Sequence, residues 1–169
     1  RLERARYIVR VMRELLIRVD PLDPGVLGMQ LELADSLITY RSRYKTEPQL
    51  PAVLDLVLAD DSNPRSLIFQ IGETKNHMAV MPLEELDGHL SRAQRILIGM
   101  HTEITLADVD KLAGVTSRNG RRTHLNRLLN RCEQGLDTLT DLISQTYFSH
   151  STGHRVTGNV LKDTADHAV

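Results

Sequence analysis

Asp55 sits in the run VLDLVLAD, with Val53, Leu54, Leu56, Val57 and Leu58 around it. A carboxylate so placed has two options. It lies on the exposed edge of a short helix, since acids are seldom fully buried. Otherwise it points inward and is paired, because an uncompensated buried charge costs about 3–5 kcal/mol. Arginine is the natural inward partner, as its planar fork meets a carboxylate at two points. Arg4, Arg41, Arg43 and Arg65 are the candidates.

Other polar groups extend this pattern. Asp35, Thr39 and Arg43 are four residues apart and share one face of a helix, with Ser36 and Tyr40 beside them. Glu3 and Arg4 adjoin the apolar stripe of the first helical segment. Together these residues suggest a seam of acids and arginines inside a helical bundle. Such a seam either fixes helix register or forms a ligand-binding or catalytic site.

The pentapeptide SNPRS, Ser62 to Ser66, could hold an anion at a helix N-terminus, with Arg65 adding a full charge. The plainer expectation is that Asn63 caps a helix that opens at Pro64. No glycine-rich phosphate loop occurs anywhere in the chain. Glu73 and His77 are four apart, as are Glu85 and His89. Carboxylate-bridged metal bundles space acid and histidine three apart and add acids on facing helices, so the pattern argues against a metal. Cys132 falls on the apolar stripe of the last helix and reads as a small core residue rather than a nucleophile. No Ser–His–Asp arrangement is recognisable.

The elements that must position these groups are helical. Leu2, Ala5, Ile8, Val9, Met12, Leu15, Leu16 and Val19 recur at spacings of three and four. DPLDPG at 20–25 ends that helix. From Val26 to Tyr44 a second helix is apolar on two lines, Leu27–Leu31–Ala34–Ile38 and Leu33–Leu37–Tyr40–Tyr44, and is therefore expected to be central. Pro51 opens a short helix across AVLDLVLAD, Pro64 another with Leu67, Ile68, Ile71, Lys75, Met78 and Ala79, and Pro82 a third reaching Met100. Thr105 and Asp108 resemble a capping arrangement for a short helix ending at Gly114. SRNGRR at 117–122 is a loop, and a last helix spans about Thr123 to Phe148. The tail 151–169 loses periodicity and is expected to be loosely ordered. The expected fold is an all-α bundle of five or six helices.

Composition narrows the function classes. In a chain of 169 residues, 21 Lys and Arg face 22 Asp and Glu, which argues against a general nucleic-acid surface. A local basic patch at Arg118, Arg121 and Arg122 is the exception. One cysteine permits no internal disulfide and fits a reducing, cytoplasmic compartment. No apolar run approaches the roughly 18 residues of a membrane span. Arg1 opens the sequence on a helical stripe with no cap before it, so the chain is expected to be a piece of a larger protein.

RLERA, ELADSLITYRSRY, VLDLVLADDSNPRSLIFQ and YFSH resemble the C-terminal half of the bacterial alpha-E domain, an all-helical family named for a Glu-Arg motif. The motif falls here on Glu3 and Arg4, and the resemblance covers residues 1–150. By motif position, the characteristic residues are Glu3, Arg4, Tyr40, Arg41, Arg43, Tyr44, Asp55, Asn63, Pro64, Arg65 and Ser66. The resemblance favours the inward, paired placement of Asp55. It also implies company: alpha-E domains occur fused to, or beside, circularly permuted ATP-grasp proteins, often with a transglutaminase-like protease. ATP and magnesium would then belong to the ATP-grasp partner, with no cofactor in this chain. The missing N-terminal half would be a second partner, and apolar surface left for it on the first helix could drive dimerisation.

Two functions follow from the resemblance. The first is a helical accessory domain, scaffold or substrate holder, for amide or peptide-bond formation; it expects a self-satisfied acid–arginine seam with no open pocket. The second is a ligand-binding or catalytic domain; it expects a concave site where Arg4, Arg43 or Arg65 keeps a free face for a carboxylate or phosphate.

Overall fold

The computed structural model describes residues 1–18, 24–80, 90–115 and 120–152. The described chain is all-α, with helices α1 (Leu2–Leu16), α2 (Pro24–Leu33), α3 (Leu37–Tyr44), α4 (Leu50–Leu54), α5 (Leu67–Ala79), α6 (Arg92–Thr105), α7 (Val109–Ala113) and α8 (Thr123–Thr152). A single π turn, Asp55–Ala59, continues α4. Among the described residues there is no strand, only an isolated bridge between Arg18 and Arg121. No described helix is long and apolar enough to cross a membrane. The helices outnumber the expected five or six chiefly because the segment from Val26 to Tyr44 is not one helix but two.

Four helices form a closed cycle, α1 against α5, α5 against α6, α6 against α8 and α8 against α1. The periodic stripes meet in its centre. Ala5, Ile8, Val9, Met12 and Leu16 of α1 are buried, as are Leu125, Leu128, Leu129, Cys132, Leu136 and Leu139 of α8. Each such Val, Leu or Ile contributes about 1.5–3 kcal/mol by leaving water. Gly135 lets α6 pass close: a Cβ there would stand 2.5 Å from the Met100 sulfur. The start of α6 is set by a capping box, in which Ser91 and Gln94 satisfy one another's backbone N–H groups. The expected start at Pro82 lies outside the described residues, as does the tail from residue 153.

Against one end of this cycle pack α2, α3, α4 with its π turn, and α7. The run around Asp55 is buried on nearly all sides, with Val53, Leu54, Leu56, Val57 and Leu58 each 0% exposed. Asp55 is its one exposed residue. Both lines expected on the second helix are interrupted. Leu27, Leu31 and Ala34 of the first are buried but Ile38 is 84% exposed, and in the second Tyr40 is buried but Leu33 is exposed. Among the large apolar residues of α1, Tyr7 alone is exposed, so the open apolar surface expected there is small. Exposed apolar side chains lie elsewhere, at Met29, Leu33 and Ile38 around the α2–α3 break and at Val80 and Leu106 among others.

Two buried polar side chains tie the ends of these elements. Asn63 does not cap a helix as expected; it is 3% exposed and donates Nδ2–H to the Leu56 carbonyl at 2.9 Å and toward Ser36 Oγ at 3.4 Å. Its Oδ1 accepts from the Arg65 backbone N–H at 3.1 Å. Arg122 is 6% exposed and donates to the carbonyls of Ala113 (3.0 Å), Leu16 (3.0 Å) and Arg18 (2.8 Å). It thereby joins the ends of α1 and α7 to the start of α8, and burial pulls its pKa down. An arginine committed to three carbonyls cannot serve a basic patch, so Arg122 leaves the expected Arg118–Arg122 cluster, of which Arg118 lies outside the described residues. The expected Thr105 cap is corrected too: Asp108 itself accepts from the N–H groups of Asp110 and Lys111 at the start of α7, and Thr105 ends α6.

Chemical denaturation should register both ties. Asn63→Ala strands the Leu56 carbonyl and is expected to lower the unfolding free energy by about 1–3 kcal/mol. Arg122→Ala should cost at least as much, and Arg122→Lys should not restore it, because an ammonium lacks the fork that reaches three carbonyls.

Candidate functional site

Asp35 decides where the acid–arginine residues meet. Its φ of 51° places it in the left-handed region, which Asp tolerates better than most residues. The Ser36 N–H bonds to the Leu31 carbonyl at 2.7 Å, ending α2, and α3 restarts at Leu37. Asp35 therefore does not share a helical face with Thr39 and Arg43. It projects from the turn and accepts from Arg4 Nη2 at 2.8 Å, with Arg65 Nε 3.9 Å from the same oxygen. All three side chains are substantially exposed. The expected interior seam is thus a surface bridge from α1 to the loop before α5, of a kind worth about 0–1 kcal/mol.

A second cluster lies along α3. Arg43 bonds Asp60 and reaches Ser62 Oγ at 3.4 Å, while Asp60 Oδ1 accepts from the Ser62 N–H and hydroxyl at 2.9 and 2.6 Å. Burial pushes the Asp60 carboxyl up, but the hydrogen bonds from Ser62 and Arg43 outweigh it and hold its pKa below the ordinary value. The Asp60 hydrogen bond raises the Arg43 pKa in turn. The next residue, Tyr44, donates its hydroxyl to Asp55 Oδ2 at 2.6 Å. Asp55 therefore faces outward and its partner is a tyrosine, which overturns the inward arginine pair. Within this cluster Tyr40 and Tyr44 stack with ring centroids 4.7 Å apart.

The SNPRS turn is already occupied by its own groups. Ser66, not Asn63, caps α5 by accepting from the Phe69 N–H at 3.1 Å. The Gln70 amide donates to the Pro64 carbonyl at 2.5 Å, and the Arg65 side chain lies toward Asp35. The helix start expected to hold an anion has its cap supplied from within.

Among the described residues, two charged candidates have neither an ion pair nor a side-chain hydrogen bond. Glu3 is exposed on α1. Arg41 lines a groove of about 500 Å³, together with Gly25, Gly28 and Glu32 of α2, Leu37 and Lys45 of α3 and its end, and Thr46, Glu47 and Pro48. Tyr40 fixes its outer wall: the buried ring sends its hydroxyl to the Glu47 carbonyl at 3.3 Å and accepts from the Gln49 N–H at 3.0 Å. Lys45, with φ 54°, turns the chain into that wall. Sequence reasoning singles out Arg41 of the lining residues and Tyr40 of the wall as candidates, and misses the rest. The signal was present in the spacing, since positions 25, 28 and 32 share a face of α2 and 41 and 45 share a face of α3.

Reactive groups are not gathered with them. Burial pushes the Cys132 thiol up to about 11, so little thiolate forms at neutral pH. The Ser66 hydroxyl is buried in its capping role. His77 Nδ1 lies 2.5 Å from the Glu73 backbone carbonyl rather than its carboxylate. Among the described residues, no three His, Cys, Asp or Glu side chains gather closely enough to hold a metal ion. Glu85 and His89 lie outside the described residues.

Comparison with known proteins places the chain. Uncharacterized proteins of Mycobacterium bovis and of Mycobacterium tuberculosis strains CDC 1551 and H37Rv are each 26% identical to it over 148 residues, 86% of this chain. The chain spans only 16% of the length of these relatives. No solved structure matches it. The family that matches, over residues 1–148, is Alpha-E, described as a predicted alpha-helical domain with a conserved ER motif. Glu3–Arg4 is the sole Glu-Arg dipeptide in this sequence, and it opens the helix whose Arg4 bridges to Asp35. With an all-α bundle and a family match across nearly its whole length, this chain belongs to the Alpha-E family.

Proposed function

We propose that the chain is a helical accessory domain that holds a substrate or partner segment for a circularly permuted ATP-grasp ligase in amide or peptide-bond formation in the cytoplasm. The observation that carries this reading is where the acid–arginine residues spend their charge. Arg4 and Arg65 meet on Asp35, Arg43 on Asp60, and Asp55 on Tyr44, each joining a turn to a neighbouring helix. Charges committed to partners within the chain fit holding and positioning better than proton or group transfer. ATP and magnesium belong to the partner in this reading. The groove beside α2 carries Glu32 and Glu47, which oppose a triphosphate, and no glycine-rich loop adjoins it.

The alternative, a ligand-binding domain with an acid–arginine site, draws support from the groove itself. Its free cations are Arg41 and Lys45, not the expected Arg4, Arg43 or Arg65. Holding and ligand binding then converge on one surface, and among the described residues a catalytic role has no assembled nucleophile and base behind it.

ATP turnover by the ligase partner, with amino-acid acceptors, separates these readings. The chain should raise amide formation, and Arg65→Ala should leave KM within about twofold while costing under about 1 kcal/mol of stability. A raised KM in a folded Arg65→Ala variant would make Arg65 part of a site, and turnover indifferent to the chain would remove the accessory role.

Titration tests the tie at Tyr44. Burial, then the hydrogen bond and charge of Asp55, raise its pKa from 10.0 to about 12. A raised pKa favours the neutral phenol in the folded state, so the tie is intact below pH 10 and weakens as pH rises toward 12. Difference absorbance should show a phenolate transition near pH 12 that Tyr44→Phe removes.

A further inference from the structure

The groove between α2 and the end of α3 has a charge arrangement that selects a ligand class. Arg41 and Lys45 stand one helical turn apart on the α3 side, and Glu32 and Glu47 line the same space. Among the described residues none of the four forms an ion pair, while Arg4, Arg6, Arg13, Arg43, Arg65 and Arg131 elsewhere on the surface do. Two unpaired cations and two unpaired acids around one concavity repel any ligand of a single sign from part of its wall. A phosphate or polyanion would meet Glu32 and Glu47, and a polyamine would meet Arg41 and Lys45. A molecule with a carboxylate at one end and an ammonium at the other satisfies both.

The dimensions and shape agree. About 500 Å³ is within the range of small-molecule sites. It is roomy for a free amino acid and suits a short peptide. At Gly25 and Gly28 the α2 wall carries no side chain, so a peptide backbone can approach the helix closely there. At Gly28 an added Cβ would meet nothing within 4 Å, so the space there is open rather than filled by the protein's own packing. Thr46 adds a hydroxyl and Leu37 a small apolar surface.

We infer that this groove binds a zwitterionic short peptide, its carboxylate on Arg41 and Lys45 and its ammonium on Glu32 and Glu47. The assignment deepens the holding role proposed above and rests on that reading for its place in amide chemistry. Binding itself involves no bond-making step and can be measured without a ligase.

The test uses the 169-residue chain and the dipeptide Ala-Ala, followed by calorimetry and by amide chemical shifts. Shifts should concentrate at residues 25–48. Acetylating the amine or amidating the carboxylate should each weaken binding by about tenfold, the order expected for a lost charge-assisted hydrogen bond. Arg41→Ala should do the same for the free dipeptide and have no effect on the carboxyl-amidated one. Gly28→Leu should abolish binding by filling the groove while its melting temperature holds or rises, since leucine is the better helix former. No binding up to about 10 mM would overturn the assignment. So would equal binding of the capped dipeptides, shifts outside the groove, or tighter binding of inorganic phosphate. Loss of dipeptide binding in a chain that still stimulates the ligase would sink this assignment and spare the accessory role. Dipeptide binding by a chain that the ligase ignores would do the reverse.

Discussion

The buried amide of Asn63 joins the π turn after α4 to the turn before α5 and reaches the break between α2 and α3. Its Nδ2 reaches the carbonyl of Leu56, the second residue of the π turn and the first past the last helical bond, Asp60 N–H to Asp55, and its Oδ1 takes the Arg65 N–H. The same Nδ2 lies toward Ser36, whose hydroxyl donates to the Ala34 carbonyl at 3.0 Å. One side chain therefore connects the break between α2 and α3 to the turn that launches α5. The surface clusters sit on the same turns. Arg65 and Asp35 flank the two turns that Asn63 contacts, and Asp60, which pairs with Arg43, follows directly on the π turn. Those ion pairs contribute little to stability, but their geometry reports how firmly the turns beneath them are held.

The all-α class and the four long stripes were legible because burial on one face imposes a period that a sequence must carry. The stripes of α1 and α8 meet in the core much as their spacing requires. The segment from Val26 to Tyr44 misled because its period runs unbroken through a turn. Asp35 has no glycine or proline beside it, and its left-handed backbone is set by the Ser36–Leu31 hydrogen bond and by Arg4 and Arg65, which come from distant parts of the chain. The inward placement of Asp55 failed for a related reason. A π turn shifts residues by one relative to an α-helix, so five apolar neighbours bury while the acid alone stays out, and apolar context in sequence did not translate into burial. Asn63 shows the limit of local rules: its side chain serves a carbonyl seven residues back instead of the helix after it.

The groove lies outside the load of the core, and this bears on what the domain can do. The helix cycle of α1, α5, α6 and α8 closes on itself, and α2 and α3 are added against its end. The groove residues Gly28, Glu32, Arg41 and Lys45 are absent from the buried core, so changing them leaves the main apolar burial intact. Leu37 lines the groove while packing against the core, and Tyr40 connects the two, with its ring in the core and its hydroxyl holding the loop that carries Glu47. Unpaired charges on such a wall cost little while water solvates them, yet they set which ligand can enter. A fold built this way separates its stability from its specificity. Relatives can keep the bundle and alter the groove through a few positions on α2 and α3, and Tyr40 is a position where a change would be felt in both.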